Sequence, residues 1–393
     1  MASRARITVR RALIVGASVG AACLVAEGLL RWVFHAAPLL DLNIYSLDGA
    51  GNLRMQAGAA RRHVTRHWDV RIHINQEGFR DREPAVRSTA APVMGLGDSF
   101  AFGWGVNLEE SYLYRLEERL NQRRAIRVVK TGTPGAGPGD QLRLLETIWD
   151  RYRPQLVILG FFVGNDFADV QMGGLEQFEV ENGLLIKREL RAISGVARWR
   201  RRLARWSHLL QFLRASQLRW QQRGAARETG SHAGLAAGDP WLREFAKIHR
   251  GEFPPETARG VAQTLEILDK FLAYCRQRDA HFVLLVIPRS YQVYPGELKE
   301  MQTAFGIADA DLDLDHPQRV LQDWAQQRGA LALDLLPEFR RDFAEHPNRK
   351  LFHYPDAHLN AAGHALVAER LAAWLGERSL PRLPQQDRAE IVR

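Results

Sequence analysis

The chain has 393 residues, 46% of them hydrophobic and 25% charged, with 32 glycines and 17 prolines; this composition excludes a collagen-like, mucin-like or mostly disordered chain and supplies enough apolar residues for a real core. The formal charge of +9 is local, because residues 187–227 carry twelve Lys/Arg against one Glu and the remainder sums to −2, which argues against a generally basic nucleic-acid binder. Cys23 and Cys275 are the only cysteines, too few for a disulfide framework or a cysteine-based zinc site.

Residues 1–11 contain Arg4, Arg6, Arg10 and Arg11 and no acid, and Ala12–Leu30 follows with Glu27 as its single charge. A helix needs about 20 apolar residues to span a bilayer, and the basic flank predicts the N-terminus inside and the bulk of the chain outside. A cleaved signal peptide is the alternative, with Ala36-Ala37 after the apolar run, although signal cores are shorter, at about 7–15 residues. Arg31, Trp32 and His35 read as an interfacial anchor, and Glu27 and Arg31 are spaced to pair on one helix face. Gly20-Ala21-Ala22-Cys23 lacks the leucine of a lipoprotein box and lies inside the apolar run, so lipidation is not expected. Cys275 is expected to be a small buried hydrophobe on a helix.

Beyond the anchor, strands and helices alternate. The expected strands are Val93–Gly97, Ile126–Thr131, Gln155–Phe162, His281–Ile287 and Ala330–Leu336. Between and after them the apolar spacing predicts helices over Arg115–Arg124, Gly139–Tyr152, Ala262–Arg278, Val320–Arg328 and Ala361–Leu375. Continuous apolar strands separated by helices predict an α/β fold, a doubly wound parallel sheet of five main strands covered on both faces. The expected division is a cytoplasmic stub (1–11), a transmembrane anchor (12–34), a linker with a small β region (35–91), a core in two parts (92–168 and 257–378), an insertion between them (169–256) and a polar tail (379–393). The insertion opens with Phe178–Lys187, whose Asn182-Gly183 centre signals a type I′ hairpin. It continues as a basic helix over 196–223 carrying Trp199, Trp206 and Trp220, then a linker over Gly224–Gly238.

In an open α/β sheet reactive groups gather beyond the carboxyl ends of the strands. The first strand is followed by Gly97-Asp98-Ser99, the second by Thr131-Gly132-Thr133-Pro134-Gly135, the third by Gly164-Asn165-Asp166, and the last by Tyr354-Pro355-Asp356-Ala357-His358 ahead of the closing helix. These blocks bring to one rim a hydroxyl, bare backbone N–H groups, a side-chain amide and an Asp–His pair. Acyl transfer needs those parts: histidine takes the serine proton, a carboxylate fixes the imidazole tautomer, and preorganised donors receive the oxyanion. A phosphate loop is not supported, since no Gly-Lys-Ser/Thr follows the glycines and Phe100, Phe102 and Trp104 crowd the site. Asp98 and Asp166 read as acceptors that fix loops, His353 as a wall residue and His364 as a helix-face residue. No His/Asp/Glu cluster points to a metal, and no cofactor is expected.

The four blocks, in this order, resemble the SGNH (GDSL-type) hydrolase family. The resemblance covers roughly 92–168 and 258–376 and implies a flavodoxin-like three-layer sandwich around a five-stranded parallel sheet, with ester hydrolysis as the activity. Carried over by position, it implies Ser99 as nucleophile, His358 as base, Asp356 as its orienter, and Ser99, Gly135 and Asn165 as the oxyanion hole. Two departures stand out: one residue, Ala357, separates Asp356 from His358 where the family often has two, and Lys130-Thr131-Gly132 stands where many relatives carry an Asn before the glycine.

The expected protein is thus a single-pass inner-membrane enzyme with a periplasmic catalytic part, acting on an acylated small molecule or glycan such as an O-acetylated one, with O-acyl transfer or non-catalytic glycan binding as alternatives and no nucleic-acid partner. The basic helix 196–223 is a second candidate for membrane contact, against the plainer reading of a solvated charged face. Asn75, Gly78, Phe79 and Arg80 resemble a segment that precedes the catalytic block in some envelope-associated members; lining the cleft and forming a plain turn are both open for it.

Overall fold

The computed structural model describes residues 2–33, 42–49, 52–65, 67–84, 91–122, 126–181, 183–187, 207–210, 212–213 and 247–378. Helix α1 (Ala2–Val33) contains one stretch, Leu13–Trp32, long and apolar enough to cross a membrane and with no fully buried residue. The expected pair is present, with Arg31 Nε 2.7 Å from Glu27 Oε1. Glu27 also accepts from Ser207 Oγ and from the backbone N–H groups of His208 and Leu209. Most of the basic helix, its tryptophans, the Gly224–Gly238 linker and the 379–393 tail lie outside the described residues.

The small β region is two antiparallel hairpins, β1 (Tyr45–Leu47) with β2 (Leu53–Met55) and β3 (Ala60–Val64) with β4 (Asp69–His73). Val70 and Ile72 point inward along β4 while Asp69, Arg71 and His73 point out, the alternation the sequence carries. Their core packs onto Phe102 and Trp104 of the next segment.

The main sheet consists of β5 (Ala91–Gly97), β6 (Ile126–Lys130), β7 (Leu156–Phe162), β10 (His281–Ile287) and β11 (Leu331–Asp334), all parallel, in the order β11-β10-β7-β5-β6. The first strand of this sheet, β5, thus lies between its second and third, β6 and β7, the doubly wound order expected. Every residue of the central β7 is buried, and each large side chain removed from water there contributes about 1.5–3 kcal/mol. Val93, Ile158 and Leu285 face α3 (Tyr112–Asn121) and the closing helix Ala361–Glu377; Met94, Val157 and Leu284 face α4 (Pro138–Tyr152) and the helix Pro255–Arg276, where Cys275 is fully buried. The insertion begins with β8 (Phe178–Glu181) paired to β9 (Leu184–Lys187), as its hairpin signal predicts.

Several boundaries differ from the sequence reading. Helix α3 starts at Tyr112 rather than 115, because Tyr112 and Leu113 continue the apolar stripe of Leu116 and are fully buried. The last strand ends at Asp334, whose Oδ1 accepts the Leu336 N–H at 3.0 Å and turns Leu336 into the start of a helix, Leu336–Glu345. Helix Pro295–Phe305 was not expected, although proline in its first turn and Gly306 at its end are the ordinary start and stop signals.

Lys130, 2% exposed, is held between Glu117 at 2.6 Å and Asp81 at 3.1 Å. Lys130 thus serves a buried ion-pair cluster that ties β6 to α3 and to the segment before β5.

Candidate active site

The four strand-end blocks do meet at one rim. Ser99 opens α2 (Ser99–Phe102) directly after β5, beside the point where the sheet order reverses. Asp98 accepts the Phe100 N–H at 2.8 Å, and Gln141 grips Gly97 twice, donating to its carbonyl at 2.6 Å and accepting its N–H at 3.2 Å. The backbone that presents Ser99 is therefore fixed from both sides of the turn.

Ser99 Oγ lies 2.7 Å from His358 Nε2, and His358 Nδ1 lies 2.5 Å from Asp356 Oδ1. The short spacing works because Ala357 takes a left-handed conformation, φ 67°, which returns the Asp356 carboxylate under the ring two residues on. The loop is closed by His353, whose N–H donates to the His358 carbonyl at 2.7 Å and whose carbonyl accepts from Ala357 N–H at 2.7 Å. Burial pushes the Asp356 carboxyl upward, but the His358 imidazole outweighs it through charge and hydrogen bond and holds the carboxyl below its usual range. This is the arrangement of a hydroxyl, a base and an orienting carboxylate.

Gly135 and Asn165 line the same cleft, about 340 Å³, together with Ser99, Phe162, Phe178 and Arg289. Gly135 has φ +81°, a conformation that favours glycine. Gly132, just before it, runs so close to α2 that a Cβ there falls 2.3 Å from Phe102 N. Asn165 precedes α5 (Asp166–Met172) and donates its side-chain Nδ2–H to Asp169 Oδ2 at 2.7 Å. Asp166 accepts the Phe162 N–H at 2.7 Å, so Asp98 and Asp166 are loop-fixing acceptors as expected. Burial pushes Asp98 up to about 6, and it raises Asp166 well above the ordinary carboxyl range with Asp98 and Asp169 adding to the effect.

An aromatic wall backs the imidazole. Phe100 and Trp104 lie 5.0 and 6.0 Å from the His358 ring centre, and His63 from the small β region meets Trp104 at 4.8 Å. The Trp68 indole donates to His63 Nδ1 at 3.2 Å, and burial pushes His63 down to about 4. His353 stands 5.0 Å from Trp68 and is a wall residue, as read from the sequence. His364 is on the closing helix but faces inward, 1% exposed, accepting the Tyr112 N–H at 3.2 Å.

His63, Trp68, Asp169, Phe178 and Arg289 were not anticipated at the site. Arg289 follows β10 within two residues, so the strand-end rule applied to the fourth strand points to it. Asp169 lies four residues after Asn165 on one helix face. Neither signal exists for His63 and Trp68, whose approach depends on how the hairpins dock. Among the described residues no cluster of His, Cys, Asp and Glu is placed to hold a metal.

The sequence profile of the GDSL-like lipase/acylhydrolase family matches residues 96–366, more than half of the chain. The chain belongs to this family. This GDSL hydrolase is accordingly a serine ester hydrolase, and its five-stranded parallel α/β sheet is the one the motif resemblance implies. Similar solved structures include TesA (13% identity, TM-score 0.38, covering 74% of this chain and 99% of that one). Others are the acetyl xylan esterase AlAXEase (13%, 0.39, 72% and 98%) and a catalytic mutant of Axe2, an acetylxylan esterase from Geobacillus stearothermophilus (13%, 0.38, 76% and 98%). No curated protein sequence matches this GDSL hydrolase.

Proposed function

We propose that this GDSL hydrolase is a membrane-anchored, extracytoplasmic enzyme that deacylates an O-acylated envelope glycan or lipid through a Ser99–His358–Asp356 acyl-enzyme cycle. The observation that carries the reading is the 2.7 Å contact between Ser99 Oγ and His358 Nε2, made by residues 259 positions apart.

In the proposed cycle Ser99 Oγ attacks the ester carbonyl as its proton passes to His358 Nε2. The Asp356 carboxylate steadies the imidazolium that forms. The oxyanion is received by the backbone N–H groups of Ser99 and Gly135 and by the Asn165 amide, donors worth about 3–4 kcal/mol each when preorganised. The intermediate collapses as the leaving alcohol takes the proton from Nε2. Water then gives a proton to His358 and attacks the acyl carbon, and as the acyl–Oγ bond breaks His358 returns that proton to Ser99 Oγ and the acid departs.

Two features support the location and substrate class. Four arginines precede the apolar stretch Leu13–Trp32, and such a flank stays on the cytoplasmic side. A second hollow of about 1250 Å³ adjoins the Gly135 loop and shares Phe178 with the cleft, its wall carrying Asp48, Arg54, Glu77, Asp140 and Arg143. That volume and its mixed polar and apolar lining suit several sugar rings.

The test is full-length protein in detergent with p-nitrophenyl acetate, with and without an added oligosaccharide. Hydrolysis that disappears in Ser99→Ala supports the reading. Acylated sugar as the main product replaces it with acyl transfer. Absence of turnover together with failure of a fluorophosphonate to label Ser99 overturns it.

A further inference from the structure

Asn165 supplies a side-chain amide to the cleft, and an amide nitrogen carries two hydrogens. One is donated to Asp169 Oδ2 at 2.7 Å, a separation typical of a charge-assisted bond. The backbone closes the same ring in the other direction, since Asp169 N–H donates to the Asn165 carbonyl at 2.7 Å. Asp169 is 6% exposed, lines the cleft itself, and its Cβ packs against the Gly135 loop, 3.0 Å from where a Cβ on Gly137 would stand. The carboxylate thus sits between the two loops that carry Gly135 and Asn165. It also decides which way round the amide sits: with the amide turned over, Asn165 Oδ1 would face a carboxylate oxygen. As found, that Oδ1 is buried without a hydrogen-bond donor, and so is Asp98 Oδ2 without one. The orientation is therefore set by Asp169; the Asn165 side chain also comes near enough to Asp98 to hold its carboxyl down, but Asp98 Oδ2 accepts no bond of full hydrogen-bond geometry.

We propose that Asp169 is a positioning residue that locks the Asn165 amide with its second N–H directed at the space above Ser99, where the oxyanion forms. The inference rests on the hydrolase cycle above and adds to it a carboxylate that never touches substrate. Preorganisation is what gives an oxyanion donor its worth, since a donor that must be turned during reaction loses much of it. The fixed amide acts on the transition state, so its loss lowers kcat and leaves KM nearly unchanged.

The experiment is a double-mutant cycle in full-length protein, with Asp169→Ala, Asp169→Asn, Asn165→Ala and the double variants assayed on p-nitrophenyl acetate. Asp169→Ala is expected to lower kcat about 10- to 100-fold, a fraction of the 10²–10³ for deleting such a donor outright, with KM within about threefold. Asp169→Asn keeps the volume and one acceptor, and is expected to fall between Asp169→Ala and the parent; it stands in if Asp169→Ala does not fold. In the Asn165→Ala background neither Asp169 substitution is expected to matter by more than about twofold. An equal loss in both backgrounds, or no loss in the parent, overturns the proposal. Selective ¹⁵N labelling of asparagine gives a readout without turnover: the Asn165 side-chain pair, assigned by its absence in Asn165→Ala, is expected to show one strongly downfield proton that Asp169→Ala removes. If the parent shows no Ser99-dependent hydrolysis, the esterase cycle has failed, and this resonance alone decides the role of Asp169: an unchanged signal in Asp169→Ala rejects it.

Discussion

The Arg80 guanidinium is buried beneath the loop that follows Ser99, donating to the Gly103 carbonyl at 2.6 Å. It reaches Phe102 O at 3.1 Å and Val106 O at 2.7 Å as well, at 2% exposure. Its motif forms a turn in which Asn75 Oδ1 accepts from Glu77 and Phe79 N–H, and the arginine buttresses the cleft from behind rather than lining it. Burial pulls the guanidinium down to about 10, so it stays charged at neutral pH. Arg80→Met strips donors from several buried carbonyls at about 1–3 kcal/mol each before relaxation. Loss of about 3 kcal/mol or more in urea unfolding is expected; Arg80→Lys, with its compact ammonium, is expected to recover only part. An Arg80→Met protein with parental stability refutes the buttress.

Although only Ala357 separates the two, Asp356 Oδ1 lies 2.5 Å from His358 Nδ1. On the proposed cycle His358→Ala is expected to lower kcat by about 10⁴ or more, and Asp356→Asn by about 10³–10⁴ through loss of the correct tautomer. Steady-state kinetics on p-nitrophenyl acetate measures both; a loss below tenfold in Asp356→Asn removes it from the cycle.

His63 gives the fold a sensitivity to acid. Folding holds its imidazole at about 4, below the ordinary 6.5, because burial disfavours the charged ring and outweighs the pull of the Asp356 carboxylate, with the Arg80 guanidinium adding to the depression. The unfolded chain therefore binds more protons between pH 6.5 and 4, so stability falls as pH drops through that window. The loss from this residue is on the order of 3 kcal/mol between pH 7 and pH 4. His63→Gln, which keeps an acceptor without a titration, is expected to flatten that part of the curve. Urea melts at pH 7 and pH 4 check it, and an unchanged pH difference counts against the assignment.

Two glycines of one loop are expected to respond differently to alanine. At Gly132 the new Cβ meets backbone, 2.3 Å from Phe102 N and 2.4 Å from Ala101 C, which cannot give way without moving α2. At Gly135 the nearest atoms are flexible side chains at 3.6–3.8 Å, and the cost is the left-handed backbone, about 1–2 kcal/mol. Gly132→Ala is expected to melt well below Gly135→Ala, which stays folded while losing turnover. Thermal melts of the two variants give the comparison, and equal melting temperatures contradict it.

The five strands were legible because buried parallel strands write themselves as unbroken apolar runs, and the site followed because strand ends in such sheets share a rim. Gly97-Asp98-Ser99 needed no more than that, whereas Asp356-Ala357-His358 lies beyond the helix Leu336–Glu345 and was carried by the order of the motif blocks. Other parts had no local signature. Arg80 satisfies carbonyls 22 to 26 positions away, and nothing in its own segment reveals them. His63 and Trp68 reach the wall only through docking of hairpins whose partners lie elsewhere in the chain. Asp169 was visible in spacing, but its meaning depends on the rotamer of Asn165. Helix Leu336–Glu345 was hidden because its first leucine extends the apolar run of the strand before it.

The left-handed turn at Ala357 confines Asp356 and His358 to a single three-residue clasp, whereas Ser99 belongs to a different part of the chain. A shift of that loop carries ring and carboxylate away as a matched unit, so the pair keeps its internal alignment and only the link to the hydroxyl is severed. Disturbances arriving from afar should thus act as an on–off coupling of the serine, while graded detuning of the imidazole requires a change within the clasp itself.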